Sequence, residues 1–206
     1  MRSYIFNNLS RTIYYNNREK NKLIKLTKII PYSWYLTDSI KSKKPQLTIR
    51  SLSKNSGIII RPYNLKNKNM YIKNIIKSSR KESLIILIAG IYHSIPYSNG
   101  NHVPKWMNQK PKHNKIISVS IHGFKDIRRS MNLKANLAFI SPVFETSSHN
   151  NKNYIGVVKL GLLSRRFKIP VIALGGINEK NIKLLRSMPI HGCAGIDVYE
   201  KQANIC

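Results

Sequence analysis

"VIALGGINEKNIKLL", residues 171–185, passes from a polar-free tetrad through two glycines into a segment with helical spacing. The tetrad is short and partly β-branched, which suits a strand buried on both faces. Asn178 is placed to cap the open N–H groups of a helix whose Ile182, Leu184 and Leu185 lie close to one face. Gly175 and Gly176 therefore sit between the carboxyl end of a buried strand and a helix start. Bare backbone amides at such a junction can close around an anion, and phosphate is the natural ligand. A tight strand-to-helix turn in any α/β protein explains the same glycines without a ligand.

The same alternation extends outward in both directions. Apolar runs recur as "SWYLTD" near 33, "GIIIR" near 57, "SLIILIAG" near 83, "IISVSIH" near 116, "LAFISPVF" near 137, "VIALGG" at 171 and "CAGIDVY" near 193, with "NHVPKW" near 101 as a stunted eighth. Helical patterns fit between them in "NMYIKNIIKSSRK", "GFKDIRRSMNLK", "GVVKLGLLSRRF" and "EKNIKLLRS". Alternating strands and helices imply a parallel sheet, and eight units imply a single-domain (β/α)8 TIM barrel with a reduced fourth unit, ahead of an open doubly wound sheet. In such a barrel the loops leaving the strands' carboxyl ends build the site, and phosphate commonly sits after strands 7 and 8. Residues 1–30 are basic and tyrosine-rich without clear periodicity and read as an extension or a loosely packed first helix; the barrel is assigned to 31–206.

The chain has 206 residues, 42% of them hydrophobic, enough for one core. No run reaches the roughly 20 apolar residues of a membrane helix, and the start lacks a signal-peptide core, so the expected location is cytoplasmic with no membrane partner. Cys193 and Cys206 are too few for a disulfide framework or zinc site, and Cys193 reads as a small core residue. A net charge of +28, from 36 Lys and Arg against 8 Asp and Glu, points at first to nucleic acid. The lysines are spread along the chain, however, together with abundant Ile and Asn, as an A/T-rich coding composition produces. The expected partners are phosphorylated small molecules, without specific nucleic-acid recognition.

Three pieces near the carboxyl end, "SVSIHGFKDI" (118–127), "FISPVFETSSH" (139–149) and "IPVIALGGINEKNI" (169–182), followed by "HGCAGIDV" (191–198), resemble in order and spacing the thiamine phosphate synthase and TenI thiazole tautomerase family. "WYLTD" and "GIIIRPYNL" resemble that family's first two strands. The resemblance implies a role in thiamine biosynthesis. The synthase couples hydroxymethylpyrimidine diphosphate to thiazole phosphate with Mg2+ and releases pyrophosphate; the tautomerase aromatises the thiazole phosphate. It also implies that Thr146, Ser148, Gly175 and Gly176 bind the thiazole's phosphate, that Ser120 serves the site after strand 5, and that Arg61 grips the diphosphate. His122 matches the proton-transferring histidine of the tautomerase branch, a task suited to imidazole near neutral pH.

This chain also departs from the family pattern. Of the synthase pattern Gln-x-Arg-x-Lys on strand 2 only Arg61 is kept, with Ile59 and Tyr63 in the other places. Ala89 and Gly90 stand where the family has Asn-Asp, the second a magnesium ligand, and no acidic ligand follows strand 4. His149 replaces a lysine, and Glu200 falls where the family offers a serine to phosphate. Magnesium prefers hard oxygen ligands, usually carboxylates, so no residue is assigned to a metal, and Mg2+ is expected only as an ion bound mainly through the substrate diphosphate. The resemblance, with these departures, points to a synthase-like transferase. The alternatives are the tautomerase and a decayed, non-catalytic barrel with non-specific anion or RNA binding.

Overall fold

Eight apolar runs become eight parallel strands that close on themselves. The computed structural model describes residues 2–17, 30–42, 44–80, 83–112, 115–146 and 153–203. The strands are β1 (Ser33–Leu36), β2 (Gly57–Ile60), β3 (Ile85–Ala89), β4 (Gly100–Val103), β5 (Ile116–Ile121), β6 (Leu137–Ile140), β7 (Val171–Leu174) and β8 (Gly192–Gly195). Each pairs with the next, and β8 pairs with β1 through Trp34 opposite Ala194. The open doubly wound sheet is thereby excluded. The described α-helices are α1 (Arg2–Asn16), α2 (Pro45–Arg50), α3 (Lys68–Ser79), α4 (Asp126–Asn132), α5 (Gly156–Ser164) and α6 (Asp197–Ala203). Among the described residues no helix follows β3 or β4, so the third unit is reduced as well as the fourth. The helix expected over "EKNIKLLRS" is only a 3-10 turn, Ile182–Leu185. Pro189, a few residues on, disfavours helical backbone in the residue before it and limits any extension.

Strand parity sorts the core into two layers. Tyr35, Ile58, Ile60, Ile86, Ile88, Val119, Ile140 and Ala173 point outward, into the apolar layer beneath the helices. Trp34, Leu36, Ile59, Leu87, Leu137, Phe139, Ile172 and Ala194 point inward and fill the barrel. The interior is tight at Gly57, where an added Cβ would lie 2.2 Å from the Trp34 ring. Trp34 meets Phe139 edge-on at 5.3 Å, and Phe139 meets His102 at 5.5 Å. Helix α3 docks through Ile72, Ile75, Ile76 and Ser79, the spacing of one helical face.

Residues 2–16 form a helix that packs along β8, β1 and α6. Its buried stripe is Phe6, Asn7, Ser10, Ile13 and, just beyond its end, Asn17. Asn7 is satisfied there: its Nδ2 donates to Ser53 Oγ at 2.9 Å, and its Oδ1 accepts from the hydroxyls of Ser33 and Tyr199. His191, at the entry to β8, ties the same region together. Its Nε2 donates to the Ile30 carbonyl at 2.8 Å and its ring meets Tyr14 edge-on at 4.9 Å.

Burial pushes the pKa of His191 down to about 4, against the hydrogen bond to Ile30, which acts the other way. An unfolded chain takes up that proton near pH 6.5 and the folded chain does not. Stability is therefore full above pH 6.5 and falls as the pH drops toward 4. By pH 5 this histidine alone costs about 2 kcal/mol. Denaturant titration at pH 7 and pH 5 should show that loss, reduced in His191→Asn; an equal loss in the variant would contradict the assignment.

Candidate phosphate cleft and barrel mouth

The loops leaving β6, β7 and β8 enclose a cleft of about 470 Å3 at the carboxyl end of the barrel, lined among others by Thr146, Gly175, Gly176, Asn178, Gly195 and Asp197. Gly175 and Gly176 have φ of +95° and +66°, backbone that side chains rarely adopt. A Cβ on Gly175 would lie 2.8 Å from Pro142, and one on Gly176 would lie 2.2 Å from the Glu145 carbonyl oxygen. The glycines are bare because the β6 loop packs against them, an approach held by Val143 N–H to Leu174 O at 2.9 Å and Phe144 N–H to Gly175 O at 3.0 Å. Their backbone lines the cleft as a consequence.

The asparagines close the same loop. Asn178 Oδ1 accepts from the amides of Lys180 and Asn181 at 2.9 and 3.2 Å, so it caps a tight turn instead of a long helix. Asn181 Nδ2 returns to Gly176 O at 2.8 Å. Thr146 lines the cleft; Ser148 and His149 lie outside the described residues.

The cleft is not basic, although the chain is. Glu145, Glu179 and Asp197 all line it, with Asp197 bridged to Lys41 at 3.2 Å. Affinity for an anion there must come from backbone amides and Lys180, since net charge does not supply it. Asp197, and not Glu200, is the acidic residue that follows β8 at the cleft. Glu200 is buried, accepting from the Tyr35 hydroxyl and, at 3.4 Å, from Thr48 Oγ1. Burial and then the Glu200 charge raise the Tyr35 pKa, so this network is a neutral phenol on a carboxylate.

Arg61 leaves β2 at the same rim, but its partner is internal. Its Nη2 donates to Asp38 Oδ2 at 2.8 Å and its Nε to the Thr37 carbonyl at 2.6 Å. Burial works against the Asp38 carboxylate, yet the Lys41 and Ile40 amides and the Arg61 charge outweigh it, and its pKa is lowered. Sequence reasoning saw an arginine in need of an anion and did not pair it with Asp38, the "TD" of the first run.

Ser120 and His122 close the rim at the end of β5. The His122 amide is held by Asp126 Oδ2 at 2.7 Å, as is that of Gly123 at 3.2 Å. Ser120 Oγ lies 2.9 Å from Nε2 of His102, a residue of β4 that the sequence reading passed over. Alternation along "GNHV" would have turned His102 inward once Val103 was placed outside.

The strand-3 end does not suit magnesium. Ala89 is buried, and the bare Cα of Gly90 is covered by Trp106 and Tyr63, whose rings an added Cβ would approach to 3.1 and 3.2 Å. Among the described residues no three His, Cys, Asp or Glu side chains gather as a metal set. The described residues do not fit a protein-held Mg2+. No described helix is long and apolar enough to cross a membrane.

Residues 103–198 match the sequence model of the family described as thiamine monophosphate synthase. The thiamine-phosphate synthase of Syntrophomonas wolfei is 34% identical over 83 residues, covering 40% of each chain. That of Prochlorococcus marinus subsp. pastoris is 33% identical over 84 residues, 41% of this chain and 23% of the relative. The matched segment thus spans less than half the length of these curated relatives. A solved structure, thiamine phosphate pyrophosphorylase from Pyrococcus furiosus, superposes with a TM-score of 0.70 over 87% of this chain and 94% of its own, at 18% identity, which bears on fold alone.

If close packing is why Gly176 is a glycine, Gly176→Ala should lose about 2 kcal/mol of stability, from left-handed backbone and the clash with Glu145 O. Chemical denaturation reads this directly, and an unchanged midpoint would contradict it.

Proposed function

Because residues 103–198 match the model of the thiamine monophosphate synthase family, we propose that this chain works in thiamine biosynthesis as a synthase-like transferase, joining hydroxymethylpyrimidine diphosphate to thiazole phosphate with release of pyrophosphate. The observation that carries this reading is the glycine-lined cleft at the carboxyl ends of β6, β7 and β8, inside the matched segment. In this reading the thiazole phosphate sits against the backbone of Gly175 and Gly176, with Thr146 as hydroxyl donor; Ser148, outside the described residues, is assigned to the same role from the sequence alone. Ser120, His122 and Arg61 face the diphosphate across the mouth, and His149, outside the described residues, is assigned to the same half from the sequence alone. The named relatives are synthases, so the tautomerase is not favoured.

The chemistry asks for stabilisation of charge that grows on the leaving diphosphate, and prepositioned donors are worth most for this in a dry site. Arg61 is the cation nearest that task, and it must exchange Asp38 for the substrate's oxygens. The family's Mg2+ is carried, in this reading, mainly on the substrate diphosphate, since the described residues offer it no matching ligand set.

Incubation with both substrates should yield thiamine phosphate and pyrophosphate. Arg61→Ala should depress the rate about 100-fold or more. Asp38→Asn keeps the Oδ1 acceptor for the Ile40 and Lys41 amides while releasing the guanidinium, and should lower KM for the diphosphate substrate several-fold. Product formation that is indifferent to both changes would remove Arg61 from the site.

A further inference from the structure

His102 is a titratable side chain within the barrel's inner layer, 4% exposed, with Phe139 on its flank. Each ring nitrogen meets a hydroxyl: Nδ1 is 2.9 Å from Ser118 Oγ and Nε2 is 2.9 Å from Ser120 Oγ. The ring is neutral. Burial pushes its pKa down to about 3, and the charges of Arg61, Arg129 and His122 act in the same direction. A neutral imidazole has one donor and one acceptor nitrogen, so only two arrangements exist.

With the proton on Nδ1, the ring would donate to Ser118, and the Ser118 hydrogen would need a second acceptor. Ser118 is fully buried on β5, and His102 is its side chain's only hydrogen-bond partner among the described residues. An unmatched hydroxyl hydrogen there would bear its full desolvation penalty. With the proton on Nε2, Ser118 donates to Nδ1, Nε2 donates to Ser120 Oγ, and nothing is left unmatched. Ser120 is only half-buried at the rim, so its own hydrogen is then free to turn toward the mouth.

We propose that Ser118 and His102 are positioning residues that set Ser120 as a hydrogen-bond donor toward the mouth: Ser118 O–H donates to Nδ1, Nε2–H donates to Ser120 Oγ, and the Ser120 hydrogen is offered to an oxygen of the bound substrate. That the acceptor is the leaving diphosphate rests on the synthase reading; the direction of the chain does not. His102 takes no proton in this scheme. It fixes a direction, so that the donor is aligned before substrate arrives and no reorganisation is needed when charge develops.

The tautomer is read by 15N NMR of the imidazole in the free full-length protein between pH 5 and 8. The expected spectrum has Nε2 protonated, Nδ1 bare, and no titration across the range. Ser118→Ala removes only a hydroxyl oxygen and should shift the ring toward a mixture of tautomers, while Ser118→Thr, which keeps the donor, should hold it on Nε2. In the coupling assay Ser118→Ala should lower kcat about 10-fold with KM unchanged, and Ser118→Thr should recover it. A wild-type proton on Nδ1, an imidazole that titrates near neutral pH, or a tautomer unmoved by Ser118→Ala overturns the proposal, as does an unaltered kcat in an active enzyme. A wild-type protein that shows the stated tautomer but does not couple the substrates fails the synthase reading and leaves the hydroxyl chain standing.

Discussion

Eight parallel strands closed into a barrel send every second side chain to one confined interior, and that interior has to be filled without unpaired polar groups. Here Trp34 supplies the bulk, and it fits because Gly57 on the neighbouring strand has no side chain. Phe139 stands on Trp34, His102 on Phe139, and Ser120 on His102. The packing thus runs from an apolar floor to a hydroxyl at the mouth, and a single hydrogen-bonded imidazole makes the change from one to the other. The position of the site follows from the filling of the barrel.

The strands were legible because a parallel sheet covered on both faces needs uninterrupted apolar runs, and those runs survive even in a chain carrying a charge of +28. Helix α1 was legible only as one of two readings of residues 1–30, because its buried stripe includes Asn7, Ser10 and Asn17, which flatten the hydropathy period; the partners of Asn7, which are Ser53, Ser33 and Tyr199, are revealed by no local pattern. Strand β4 was half-legible. Its "GNHV" hides an inward histidine whose partners stand on the next strand. At the site, the glycine pair was found for one reason and is explained by another, since a close approach of the β6 loop cannot be read from the β7 sequence. The end of the last strand was misassigned: Glu200 belongs to a buried network with Tyr35, and Asp197 faces the cleft.

Charge divides the molecule. Lysines cover the outside, whereas Asp38, Asp126, Glu145, Glu179, Asp197 and Glu200, six of the chain's eight acidic residues, follow within five residues of the carboxyl end of a strand. Asp38 neutralises Arg61, Asp126 pins the β5 loop, and Asp197 holds Lys41. A basic surface raises the local concentration of anions, but the cleft itself is lined by backbone, Thr146 and Lys180 beside three carboxylates. Under the proposed synthase reading, the thiazole-phosphate side is built from main chain, and Ala89 and Gly90 stand where the diphosphate side would need carboxylates.

The central claim is that the cleft formed by the β6, β7 and β8 loops is where phosphate binds. Titrating thiazole phosphate into 15N-labelled protein tests it directly. The account predicts saturable shifts concentrated in the amides of Gly175, Gly176 and Ile177, with the Arg61 region unmoved until the diphosphate substrate is added. Saturable shifts centred on Arg61 and Trp106, with the Gly175 and Gly176 amides unchanged, would contradict it.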